Sequence, residues 1–195
     1  MRIPNAAHES HPWRIRDIAP DFTVEDVWAL PVHGGAEDFQ TLIKVMSSMD
    51  PTNRGSLATR VLFRIRWRLG RWFGWDDALA KPPIPGKQEA SLADRLPEDL
   101  RNTAARLRFG PFAPLYRTDD EFAAEISNQT VHAVMHLGWV DQGGGRYQGQ
   151  MAIYVKPRGR FGKEYMAIIA PFRHWVVYPS LMRQIEHAWN TRVSR

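Results

Sequence analysis

The sequence contains no cysteine among its 195 residues, which excludes disulfide bonds, thiolate zinc sites and cysteine nucleophiles. It has no stretch close to the roughly 20 apolar residues that a membrane-spanning helix needs. The first eight residues also lack the apolar core of a signal peptide. With 44% hydrophobic and 24% charged residues, the composition is that of an ordinary globular protein, and we expect the protein to be cytoplasmic.

Acidic residues are absent from one basic segment. Residues 51–75 contain six Arg and no Asp or Glu, although the net charge of the whole chain is only +5. Hydrophobic periodicity predicts a helix within residues 54–75, with Arg60, Arg64, Arg68 and Arg71 along one edge of its apolar face. Such a stripe suits an anionic membrane surface or an acidic partner. In the alternative interpretation, the Arg stems cover the edge of the core and their heads are solvated.

Nucleic acid is not expected as a partner, because the chain outside this segment is close to neutral. Catalytic motifs are also missing: there is no His-Glu-x-x-His and no Gly-x-Ser-x-Gly sequence. Gly143-Gly144-Gly145 separates two predicted strands and opens no helix, so it predicts a hairpin and not a phosphate-binding loop. The acidic run Asp119-Asp120-Glu121 lies in a predicted turn, where we expect solvated carboxylates. We assign no catalytic residue and no cofactor.

The histidines do not predict a metal site. His132 and His136 are four residues apart on a predicted strand, which separates them by about 13 Å. One zinc ion, with bonds near 2 Å, cannot bind both. We therefore expect them on the solvent-facing side of a sheet. His174 and His187 lack partners at a matching spacing.

The order of elements predicts an α+β protein. Residues 1–21 form an N-terminal arm that is ordered only if Trp13 and Ile15 dock, and residues 22–195 form a single domain. A first strand over Phe22–Pro31 precedes an amphipathic helix over Phe39–Met49, followed by the Arg-rich helix. Five further segments alternate with period two and predict an antiparallel meander with one buried face. They are Phe112–Arg117, Glu121–Ser127, Thr130–Val140, Arg146–Lys156 and Glu164–Ala170.

The C-terminal segment predicts a helix that covers this sheet. Six of its apolar residues recur at helical spacing, with polar residues between them: Tyr178, Leu181, Met182, Ile185, Ala188 and Trp189. The facing strands carry Met135, Trp139, Met151 and Ile153 in one apolar register. Methionine and aromatic side chains suit an adaptable apolar pocket, and they suit a filled core equally well.

Six short stretches carry a resemblance to a known family: Ser91–Pro97, Thr130–Val134, Tyr147–Ala152, Tyr165–Ile169, Phe172–His174 and Tyr178–Met182. They resemble a bacterial family of uncharacterised proteins, and the resemblance extends over most of residues 20–190. That family is placed in the START-like superfamily, which includes birch-pollen allergens, polyketide cyclases and lipid-transfer domains. The resemblance implies a helix-grip fold, in which about six antiparallel strands wrap around a long C-terminal helix and two helices follow the first strand.

The resemblance also implies a function, the binding of a small hydrophobic or amphipathic ligand between the sheet and the last helix. Arg173, at the start of that helix, is the candidate polar anchor. A cyclase- or dehydratase-like enzyme using the same pocket, or an interaction domain acting through the Arg-rich helix, are the alternatives. Some relatives carry this domain behind a dinucleotide-binding domain, which implies association with such an oxidoreductase. The expected ligand-binding residues are Met135, Trp139, Met151, Ile153, Arg173, Tyr178, Met182 and Ile185.

Overall fold

A five-stranded antiparallel β-sheet forms the centre of the structure. The structure is a computed structural model and describes residues 1–49, 91–104, 107–127, 131–157 and 173–193. Within these ranges the strands lie in the order β1-β5-β4-β3-β2, which confirms the α+β class. The Arg-rich helix over 54–75 and the strand expected at 164–170 lie outside the described residues. The strands are Thr23–Gly34 (β1), Ala113–Arg117 (β2), Glu121–Ser127 (β3), Val131–Asp141 (β4) and Tyr147–Pro157 (β5).

The β4–β5 hairpin confirms the predicted glycine turn. The two strands pair antiparallel from Val131 opposite Pro157 to Asp141 opposite Tyr147. The three glycines between them have positive φ values of 84°, 64° and 75°, and glycine adopts that region with little steric cost. The first of them, Gly143, donates its N–H to Asp141 Oδ1 at 2.7 Å. The turn therefore fixes the register of β4 and β5, which have 11 residues each.

One side of the sheet, here called the N-terminal face, is covered by residues 1–22 and by residues 91–100. The first segment contains helices α1 (Asn5–Glu9) and α2 (Ile15–Ile18). The second contains two short 3-10 helices, Leu92–Arg95 and Glu98–Leu100. Ser91 caps the first of these by accepting a hydrogen bond from Ala93 N at 3.1 Å.

The prediction of one buried face was wrong, because the N-terminal face is buried too. Trp13 and Ile15 are both buried against it, so the condition for an ordered N-terminal segment is met. Trp13 lies so close to β4 that a Cβ on Gly138 would come within 2.7 Å of its ring. The strands also present Val134, Ala152 and Tyr154 on this side. This is enough apolar surface to bury a second layer.

Residues 1–3 lie beside β1 and pair with it. Ile3 N donates to Val27 O at 3.0 Å, and Ala29 N donates to Met1 O at 2.8 Å. β1 itself continues to Gly34, beyond its expected end at Pro31. Pro31 falls in an irregular stretch of the β1–β5 register between Ala29 and His33, which is a place where a strand tolerates proline.

The other side of the sheet, here called the helix face, packs against helices α3 (Phe39–Ser48) and α4 (Tyr178–Val193). Both helices were predicted. Side chains cross this face in rows, one of which runs Trp28, Met151, Leu137, Phe122 across β1, β5, β4 and β3. The predicted apolar stripe of α4 lies on the sheet, with its first, middle and last members fully buried: Tyr178, Ile185 and Trp189.

Candidate functional site

The candidate site begins with Asp26, a buried carboxylate on β1. The β1–β5 register slips between Val24 and Asp26. As a result Val24 and Val27 both face the N-terminal side, whereas Asp26 and Trp28 face α4. A bulge of this kind re-aims a side chain without ending the strand. Here the bulge points the Asp26 carboxylate toward the apolar layer under α4. A carboxylate buried there needs hydrogen-bonding partners.

Two residues at the start of the C-terminal helical segment supply such partners. His174 Nε2 lies 2.5 Å from Asp26 Oδ1, and the Tyr178 hydroxyl donates to Asp26 Oδ2 at 3.1 Å. His174 belongs to a turn of π-helix, Arg173–Val177, that leads into α4. The Asp26 side chain is 1% exposed and that of His174 is 23% exposed. The site is therefore an accessible imidazole that rests on a buried carboxylate.

Aromatic and basic groups surround this pair. The Trp28 ring lies 4.7 Å from the Tyr178 ring and 6.3 Å from that of His174, measured between centroids. The guanidinium of Arg2 is 3.7 Å from Asp26 Oδ1, and its side chain is half exposed. These contacts connect the N-terminal residues, β1 and the start of α4 at one point.

The predicted ligand-binding residues lie next to this point. Seven of the eight belong to one apolar cluster between the sheet and α4: Met135, Trp139, Met151, Ile153, Tyr178, Met182 and Ile185. Asp26 stands opposite Ile153 in the sheet, and Ile153 stands opposite Met135. Ile153 and Met182 are only partly buried. The side chain of Arg173 lies outside the described part, so its role as an anchor stays a prediction.

A second histidine–carboxylate pair lies on the N-terminal face, where Glu121 and His136 correct two predictions. Both side chains are buried, at 3% and 0% exposure, with His136 Nε2 3.0 Å from Glu121 Oε1. Neither ring nitrogen of His136 forms a well-aligned hydrogen bond within the described residues. Glu121 is not a solvated turn carboxylate, because it accepts hydrogen bonds from Arg14 N at 2.9 Å, from Ile15 N at 3.0 Å and from the Tyr116 hydroxyl.

These contacts keep Glu121 ionised. Burial alone would raise the pKa of Glu121, but the contacts with His136 and Tyr116 outweigh it and hold the pKa below its ordinary value. The carboxylate therefore fixes the backbone at the start of α2 to β3. Asp119 and Asp120, its neighbours in the turn, are exposed as expected.

His8 completes the network on this face. Its Nδ1 lies 2.5 Å from Gln150 Oε1 and its Nε2 2.8 Å from the Tyr154 hydroxyl. The amide oxygen can only accept, so Nδ1 carries the proton and Nε2 accepts from Tyr154. Burial, and next the nearby His136, lower the pKa of His8 to about 3. His8 is therefore a neutral structural link between α1 and β5.

His132, also expected on a solvent-facing surface, is buried against Glu125. Its Nε2 lies 2.7 Å from Glu125 Oε2, while the Ser91 hydroxyl donates to the other oxygen, Oε1. Burial would raise the pKa of Glu125, but His132 and Ser91 hold it below its ordinary value. A nucleophilic serine needs the histidine in the middle, as its base. Here the carboxylate is in the middle, so the group ties residues 91–92 to the sheet.

A surface pocket of about 710 Å³ lies at the far end of β1, lined by His33, Gly34, Gly35, Gln142, Gly145 and Arg146. None of the predicted ligand-binding residues lines it, and it is an open groove beside the β4–β5 turn. Within the described ranges no three His, Cys, Asp or Glu side chains converge so as to hold a metal ion. The helices of the same ranges are all too short or too polar to cross a membrane.

Sequence reasoning missed Asp26 and discounted His174. The available signal was the imperfect alternation of the first strand, where Val24, Val27 and Trp28 are out of phase. A phase slip of this kind marks a bulge, and a carboxylate at the slip is then a candidate for burial. The partner of His174 is 148 residues away in the chain, so no local spacing could have indicated it.

The fold and the site thus define an α+β protein with a His–Asp–Tyr group beside an apolar sheet–helix layer. Residues 18–180 match the model of a family described as Protein of unknown function (DUF2867), and the chain belongs to that family. It matches no curated protein and no solved structure at a significant level. The START-like, helix-grip relationship stays a prediction.

Proposed function

We propose that this protein binds a small amphipathic molecule between the helix face of the sheet and α4. The apolar part of the molecule lies against the methionine and aromatic side chains, and its polar end lies at His174 and Asp26. The observation that carries this proposal is the half-buried His174, hydrogen-bonded at 2.5 Å to a fully buried carboxylate at the rim of an apolar layer. A polar group placed at the edge of an otherwise apolar site is the usual arrangement for orienting a ligand.

The packing beside Asp26 supports the same location. Ile153, directly opposite Asp26 in the sheet, and Met182, one helical turn after Tyr178, are partly exposed apolar residues. Both belong to the cluster formed by the helix face and α4. Flexible side chains such as Met182 can move to admit a ligand at a smaller cost than branched side chains in a rigid core. Binding would therefore begin here, next to the polar group.

The experiment is a fluorescence titration with 1-anilinonaphthalene-8-sulfonate, which combines apolar rings with one anionic group. Ala133 lies on β4, two residues before Met135 and on the same face of the strand, and is partly buried. We expect the wild type to enhance the probe fluorescence saturably. The variant Ala133→Phe should fold and lose that enhancement, because the added ring occupies the binding space. Ala93→Phe, at an exposed position of the 91–95 turn, is the matched control and should bind as the wild type does.

Two results would overturn the proposal. One is a wild type that does not bind the probe, together with an Ala133→Phe variant destabilised by about 1–3 kcal/mol, the usual cost of overpacking a filled core. The other is undiminished binding in a folded Ala133→Phe variant. The first result would favour an interaction domain that acts through the stripe of Arg60, Arg64, Arg68 and Arg71, and the second would mean that the probe binds elsewhere. The role of that stripe stays a prediction, as does the association with a dinucleotide-binding oxidoreductase.

A further inference from the structure

The hydrogen bond between His174 and Asp26 fixes which nitrogen of the ring is basic. An ionised carboxylate only accepts hydrogen bonds, so the proton of the neutral imidazole is on Nε2, which donates to Asp26 Oδ1. The other nitrogen, Nδ1, then carries the free lone pair. None of the described residues forms a hydrogen bond with Nδ1. With its side chain 23% exposed, His174 is the accessible base of the site.

Asp26 is placed to orient that base. Its side chain is 1% exposed, and its Oδ1 accepts the hydrogen bond from Nε2, which fixes the orientation of the imidazole ring. The Tyr178 hydroxyl holds the second carboxylate oxygen, so Asp26 cannot rotate away freely. Two backbone irregularities bring the pair together: the β1 bulge at Asp26 and the π-helical turn that carries His174. Both features are typical of functional sites.

We propose that His174 is a general base that removes a proton from a carbon next to a carbonyl group in a bound amphipathic molecule. This rests on the proposed function, because the molecule must first occupy the layer beside Asp26. In the step, the C–H bond breaks and its electron pair delocalises onto the carbonyl oxygen, while an N–H bond forms at Nδ1. The same proton then returns from Nδ1 to another atom of the molecule. The result is an isomerisation that needs no oxidant, reductant or second reactant.

The charges of the site suit such a step. Loss of the proton creates one negative charge on the molecule and one positive charge on His174, so the pair of charges formed is neutral overall. The guanidinium of Arg2, 3.7 Å from Asp26 Oδ1, balances the carboxylate that was present beforehand. Asp26 acts through His174 and not on the molecule, so it is a positioning residue, and His174 is the catalytic residue.

The test uses 5-nitrobenzisoxazole, a flat aromatic probe for general bases. A base removes its C3 proton, the ring N–O bond breaks, and the electron pair is released as a coloured phenolate, so that the reaction is complete without a cofactor. We expect saturable turnover by the wild type. In His174→Ala, kcat should fall about 100-fold, the size of a typical general-base contribution, while KM changes less than about twofold. His187→Ala, at an exposed position of α4, is the matched control and should keep full activity.

Two further measurements separate catalysis from folding. Added imidazole should restore turnover to His174→Ala but not accelerate the wild type in proportion, because it fills the space left by the ring. Asp26→Asn should lower kcat at least about tenfold with KM little changed, provided that its circular dichroism matches that of the wild type. If Asp26→Asn does not fold, the imidazole rescue of His174→Ala remains the test of the general base.

The outcomes distinguish this inference from the proposed function. Turnover by His174→Ala equal to that of the wild type, with both proteins binding 1-anilinonaphthalene-8-sulfonate, would overturn the general base and leave ligand binding intact. Absence of both turnover and probe binding in the wild type would overturn both proposals. Binding of both probes without any turnover in the wild type would also overturn the general base alone.

Discussion

Both faces of the sheet hold a histidine beside a buried carboxylate, and the pairs Glu121–His136 and Asp26–His174 differ in access to solvent. On the N-terminal face, Glu121 and His136 are 3% and 0% exposed, and two backbone N–H groups also donate to Glu121. On the helix face, Asp26 is equally buried but His174 is 23% exposed. Both pairs combine an imidazole with a buried carboxylate, and the segments that cover them decide whether the imidazole reaches solvent.

Access to solvent determines what each pair can do. A carboxylate whose lone pairs are taken up by backbone N–H groups fixes the chain, because moving it would leave those groups unpaired. Glu121 thus joins the start of α2 to β3. A carboxylate that holds one accessible imidazole can instead bind or react, because the imidazole can exchange protons with a ligand.

Removing Glu121 should destabilise the protein strongly. Glu121→Ala removes the acceptor of the buried Ile15 N and Tyr116 hydroxyl and of the partly buried Arg14 N. We expect a loss of about 3–5 kcal/mol in the free energy of unfolding, as for breaking a buried charged network. Urea denaturation measures it. Asp119→Ala, an exposed carboxylate of the same turn, should change stability by less than about 0.5 kcal/mol; equal effects of the two would refute the structural role.

The same contrast explains what the sequence could predict. The period-two alternation of β4 and β5 and the helical spacing of α4 result from one apolar face of each element, and local pattern is enough to find them. The faces themselves were assigned correctly: Met135, Leu137 and Trp139 do lie on the helix face. Local pattern cannot show what covers the opposite face.

The errors about the histidines concern long-range partners. His132 and His136 were predicted to be surface residues, because polar residues at alternate positions of a strand usually face water. They are buried because Glu121, Glu125 and the N-terminal residues reach them from other strands and segments. Likewise, His174 becomes a candidate functional residue only through its hydrogen bond to Asp26, which lies near the other end of the chain. Pairings of this kind depend on topology, which one sequence does not contain as a local signal.

The second prediction is that acid weakens the N-terminal face through His8. In the unfolded chain His8 titrates near 6.5, whereas in the folded protein its pKa is lowered to about 3. Between these values the unfolded state binds the extra proton, so stability is full above pH 6.5 and falls as the pH drops toward 3. From pH 6.5 to pH 5 the expected loss is about 1–2 kcal/mol, measured by urea denaturation at each pH.

A matched pair of variants assigns this loss. His8→Gln keeps a donor for Gln150 and an acceptor for Tyr154 but does not titrate, so it should flatten the slope between pH 6.5 and pH 5. His187→Gln removes an exposed histidine of α4 and should leave the slope unchanged. The carboxylates Glu121 and Glu125, whose pKa values are also lowered, lose their contribution only at more acidic pH. An unchanged slope in His8→Gln would contradict the role given to His8.

The smallest loss of stability is expected on removing His174, and it is best compared with the loss on removing His136. His174→Ala removes a partner of Asp26, but it opens that side of the carboxylate to water, and the Tyr178 hydroxyl still donates to it. We expect a loss of about 1 kcal/mol or less, the net value of one hydrogen bond that water can replace. His136→Ala removes an imidazole that is 0% exposed and leaves a cavity that water does not reach, so it should cost about 2–3 kcal/mol more. Equal losses in the free energy of unfolding, measured by urea denaturation, would mean that His174 is as structural as His136. They would contradict a functional role for the Asp26–His174 pair.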